Sequence, residues 1–153
     1  MGRILRVWVV AVLACLGMMA VWGLIMTART GRWQHAAHNI PDLTVAFTSV
    51  FAVVALAFIP LFLILERVPR LSGAKTAVIA GVLLGAVAYL AIGMVFGESE
   101  DPQTVWGWVR YWAGRPRGFA LSSAPFMAAG AIFGFVWMKG RRLLLEQAAT
   151  YER

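Results

Sequence analysis

Charge is scarce in this chain. Only 14% of its 153 residues are Asp, Glu, Lys or Arg, against roughly 25% in ordinary soluble domains. Four long stretches, residues 7–27, 43–65, 76–96 and 119–138, hold none at all. A soluble domain of this size needs a charged exterior, so lipid is the solvent that this composition fits. Each run holds about 20 residues, enough as a helix to cross a hydrocarbon core of roughly 30 Å. The sequence therefore predicts an all-α integral membrane protein, one domain over residues 1–153 with four transmembrane helices.

Cysteine and histidine are scarce as well. Cys15 is the single cysteine, which excludes an intramolecular disulfide and leaves the redox compartment open. Its default role is that of a small packed apolar residue. The order Val12-Leu13-Ala14-Cys15 faintly resembles a lipoprotein processing site, but Leu16 to Met26 stays apolar where a mature lipoprotein turns polar. The first run is also long for a signal peptide and lacks a small-x-small site at its end, so it reads as a retained span. His35 and His38 are the two histidines, and both lie outside the runs. No span thus offers a histidine to a haem. Their spacing of three, with Asp42 four beyond, is one metal-ligand arrangement on a helix. No cysteine or second carboxylate joins them locally, and a surface or headgroup contact is the reading preferred. No cofactor and no metal is expected.

The deep parts of the runs also lack every Asp, Glu, Lys, Arg and His. Proton- or ion-coupled transport usually places an ionisable group within the bilayer, and its absence argues against that class. Passive or partner-dependent movement of a lipid or apolar solute stays open. Ser122-Ser123 have no G-x-S-x-G context, so serine hydrolysis is unsupported and a non-enzyme is favoured. Residue-level repetition between the two halves is absent as well.

What charge there is sits at the ends of the runs. The net charge of +7 forms no stripe with interleaved polar residues, which excludes nucleic acid as the expected partner. With four spans, the N-terminus, the turn around 66–75 and the tail share one side. That side holds Arg3, Arg6, Arg67, Arg70, Lys75, Lys139, Arg141, Arg142 and Arg153, nine in all, against five at Arg29, Arg32, Arg110, Arg115 and Arg117. The positive-inside rule then predicts a multi-pass plasma (inner) membrane protein with both termini cytoplasmic. Residues 139–153 form a basic tail that could continue the last helix.

Glycine is well supplied, and its placement is informative. Gly81 and Gly85 are four apart in the third run, and Gly130 and Gly134 repeat that spacing in the fourth. Such pairs let another helix approach closely, either within one bundle or in a dimer. Ala77 extends the first row, and Tyr89 interrupts it. Pro60 and Pro125 break the hydrogen-bond ladder inside their runs. Residues 28–41 read as a loop anchored by Trp33, with Asp42 as the N-cap of the second span.

The longest polar interruption is Glu98 to Gly118. Pro102 follows an acidic start, and Val105, Trp108, Val109 and Trp112 recur at i, i+3, i+4 and i+7. This spacing predicts a short amphipathic helix over about 102–113, lying in the outer interface and stopped by Gly114 and Pro116. Its simplest role is an aromatic anchor. Its functional role would be a docking surface for a partner or lipid, carried by Trp106, Trp108, Arg110, Trp112, Arg115 and Arg117.

The sequence as a whole reads as a non-enzymatic accessory or scaffold subunit. Its expected partners are the lipid bilayer and other membrane subunits or a second copy of itself. The alternative is a small transporter or lipid-handling homodimer built through the glycine pairs. Third comes a membrane enzyme using His35, His38 and outer-loop acids.

Overall fold

The computed structural model describes residues 2–31, 33–68, 73–96 and 105–151. These form five helices and, among the described residues, no strand: α1 Gly2–Thr30, α2 Trp33–Arg67, α3 Ala74–Phe96, α4 Val105–Ala113 and α5 Pro116–Tyr151. Four of them are long and apolar enough to cross a membrane, over Gly2–Arg29, Ile40–Arg67, Ala74–Val95 and Pro116–Arg141. The fifth, α4, is the short helix between the third and fourth spans. The protein is a four-span helical membrane protein.

Local chemistry sets the helix ends. Gly31 has a φ of 68°, which costs glycine nothing and an L side chain a good deal. Its N–H donates to the carbonyl of Thr27 at 2.9 Å and closes α1 in a left-handed cap. The Gly73 carbonyl takes the first helical bond of α3, from the Ala77 N–H at 3.1 Å. Arg115 caps α5 in the same way, accepting from Phe119 at 3.0 Å. Pro116 then occupies the first helical position, where its missing N–H is no loss.

One sequence expectation is corrected here. Residues 33–41 are helix rather than loop, and Asp42 lies inside α2 rather than capping it. The connection between the first two helices therefore shrinks to residues 31–32. Pro41 and Pro60 are both carried within α2, and Pro125 within α5. Prolines persist in spans because the lipid offers no water to a broken helix, so the helix is kept and the lost bond is met locally. The backbone of α5 runs as helix through residue 151, past the end of its span.

The spans close into an antiparallel ring in which α1 packs on α2 and α5, and α3 packs on α2 and α5. The most extensive contact is between α3 and α5. A methyl added at Gly81 would run into the carbonyl of Gly130, and one added at Gly130 into that of Gly81. Gly85 stands in the same way against Phe126, and Gly134 against Ala77. Each step of four along α3 is matched by a step of four back along α5, as antiparallel helices require. All four glycines are buried in this seam. Their faces are occupied within one chain, which leaves a homodimer no open surface there.

The centre is filled by Cys15, Phe51, Ala55, Leu84, Ala88, Ala129 and Phe133, all fully buried. Large rings bridge α2 and α5 diagonally: Phe62 meets Phe133 edge-on at 5.0 Å and Trp137 at 5.4 Å between centroids. Trp8 of α1 donates its indole N–H to the Ala52 carbonyl of α2 at 3.0 Å. The outward faces carry Leu13, Val53, Leu83 and Phe135 among many exposed apolar side chains, which in lipid is the ordinary exterior.

Candidate functional site

The end of the bundle where α1 stops and α5 starts carries α4. Nine residues make barely two and a half turns, too short to be stable alone in water. Trp112 supplies the anchor. Its ring lies 5.6 Å from Tyr89 of α3 and 5.8 Å from Phe119 of α5. Tyr89 also meets Phe119 at 5.6 Å and Phe126 at 5.9 Å, and its hydroxyl lies beside Ser122. Gly118 lies against the indole, a Cβ there standing in van der Waals contact with Trp112 at 3.4 Å. The glycine seam between α3 and α5 thus opens, at Tyr89, into an aromatic socket that receives α4.

The chain leaves α4 through a tight turn. The N–H of Gly114 donates to Arg110 at 3.2 Å, and that of Arg115 to Trp112 at 2.9 Å. This folds Arg115 back so that its guanidinium sits 4.2 Å over the ring of Tyr111, a cation–π contact. Arg110, Tyr111, Arg115 and Arg117 are all exposed. Trp112 is held inward while these four side chains face away from the bundle. Of the six outer residues singled out from sequence, Trp112 packs into the protein, and the three arginines form an exposed basic rim. Trp106 lies in α4, as does Trp108, and both side chains fall outside the described residues.

The opposite end holds a constellation that the sequence did not announce. Arg3 of α1 pairs with Glu66 at the end of α2. Its guanidinium carbon also lies 4.8 Å from the ring centroid of Trp137 on α5. Gly140, one turn further along α5, lies against the Arg3 stem, with a Cβ there 3.5 Å from Cγ. The pair is mostly buried, its side chains 23% and 18% exposed. Trp137 is 1% exposed, and its indole nitrogen has no hydrogen-bond partner among the described residues. One arginine thereby ties three helices together at that end. The partners stand 63 positions apart, so no local spacing could reveal them. The only signal was that Arg3 and Glu66 both fall at the edges of runs on the same side.

The remaining candidate chemistry is modest. Ser123 is buried and donates to the Phe119 carbonyl at 2.7 Å, with Met127 Sδ at 3.1 Å. This is a hydroxyl satisfied within its own helix, as helical serines often are. Cys15 faces the Thr48 hydroxyl across α1 and α2. Among the described residues no group of three or more His, Cys, Asp or Glu converges. His35 and His38 lie in α2, and their side chains are outside the described residues.

Comparison with known protein families, curated proteins and solved structures finds no match.

Proposed function

We propose that this chain is a non-enzymatic accessory or scaffold subunit of a larger complex in the bacterial-type plasma membrane, with both termini cytoplasmic. The observation that carries this reading is the fixed presentation of α4. A helix that spanning does not require is packed onto the bundle through Trp112, and its last turn, the bend after it and the start of α5 present Arg110, Tyr111, Arg115 and Arg117 outward. Arginine and aromatic side chains on a rigid support are the composition that protein interfaces favour.

The glycine seam supports the same reading, because a bundle tied this tightly through its backbone suits a scaffold better than a moving carrier. A transporter would need a polar path near mid-membrane. The cavity between α1 and α5 is lined by Gly17, Met18, Val21, Trp22, Ile25 and Pro125, which offer a polar solute nothing.

Affinity purification of the full chain from its native membrane in a mild detergent tests the proposal. Stable co-purification of a larger membrane protein is expected. Recovery of the chain alone would overturn it.

A further inference from the structure

The cavity between α1 and α5 has a second property. It opens sideways toward the surroundings of the bundle and measures about 280 Å³, near the low end of small-molecule clefts, which run roughly 300–1,000 Å³. That size fits a narrow apolar chain and not a bulky headgroup. Its wall on α1 is Gly17, Met18, Val21, Trp22 and Ile25, and its wall on α5 is Pro125.

The α1 wall continues outward into charge. Met18, Trp22, Ile25 and Arg29 recur at steps of four, three and four, which keeps them on one helical face. Arg29 therefore stands on the face that lines the cavity, about 6 Å beyond Ile25 along the axis. It lies in the last turn of α1 and is exposed, at the depth where headgroups begin. Arg115 and Arg117 are exposed at the same end of the bundle. Apolar depth with a cation at the mouth is the charge pattern of a phospholipid in reverse.

We propose that this groove holds one acyl chain of an anionic phospholipid, with Arg29 pairing its phosphate. The lipid belongs to the leaflet on the α4 side. The inference does not depend on the chain being an accessory subunit.

Native mass spectrometry of the full chain, released from detergent, tests it with two probes of identical acyl chains: phosphatidylglycerol and phosphatidylcholine. The expected result is a one-to-one phosphatidylglycerol adduct about fivefold more abundant than the phosphatidylcholine adduct, the pull of one basic side chain on an anionic surface. Arg29→Gln should bring the two adducts to parity without removing either. A Cβ at Gly17 meets nothing within 4 Å, so a side chain can start there without touching its neighbours, and Gly17→Phe, which fills the groove, should remove both adducts. Gly17→Ala adds a single methyl and should keep both. Equal adducts in the wild type would overturn the proposal, as would a preference surviving Arg29→Gln or adducts surviving Gly17→Phe. The absence of any adduct, as when a partner's helix occupies the groove, overturns it too. Should Gly17→Phe fail to fold, Arg29→Gln decides alone.

Discussion

At the scale of single residues, the bundle rests on places where a side chain is missing or paired at close range. Gly130 lies where a β-carbon would strike the backbone of α3, and backbone cannot swing aside as a side chain can. Gly130→Val should therefore cost at least the 1–3 kcal/mol typical of overpacking, as an order of magnitude. Gly17→Ala, with open space around it, should be close to neutral, and comparing the two unfolding temperatures in one detergent checks the contrast. Arg3 depends on Glu66 for its counter-charge and on Trp137 for a ring to lie against. Glu66→Gln leaves a mostly buried guanidinium without its anion and should cost about 1–3 kcal/mol. A double-mutant cycle with Arg3→Gln should show the two losses to be strongly non-additive. Additive losses would mean that the pair contributes nothing to stability.

At the scale of elements, α4 is a passenger, and among the described residues the Trp112 ring packs it against α3 and α5. Trp112→Ala removes its contact with Tyr89 and Phe119 and should loosen α4 without disturbing the four spans. Backbone amides of residues 105–113 should then exchange at least tenfold faster with deuterium, while those of α3 and α5 keep their protection. Unchanged exchange would place the anchor elsewhere.

Much at this level was legible in the sequence, and the exceptions have physical causes. The four spans follow from charge-free length, and the short helix follows from the i, i+3, i+4, i+7 recurrence with Gly114 and Pro116 behind it. The stretch before Asp42 was misread, because Pro41 signals a helix boundary in water and not in lipid. The docking surface expected from sequence includes Trp112, whose ring packs against α3 and α5 instead, since helical spacing gives a face but not what the face meets. The Arg3–Glu66–Trp137 junction was invisible for a related reason: it joins three helices that become neighbours only once the ring closes.

At the scale of the whole molecule, four helices close into a ring in which α3 and α5 meet along a seam of backbone contact. The sides are apolar and meet lipid, and the end carrying α4 presents a basic and aromatic rim. Function is proposed to lie on that rim, and size in the native membrane addresses it most directly. The wild-type chain and an Arg110→Gln, Arg115→Gln, Arg117→Gln triple variant would be extracted in several mild detergents and separated by native size. The wild type is expected to migrate in a particle well above its 16.7 kDa plus detergent, and the variant is expected to shift toward the free chain. A wild-type protein that runs as the lone monomer in every detergent would contradict the proposed role.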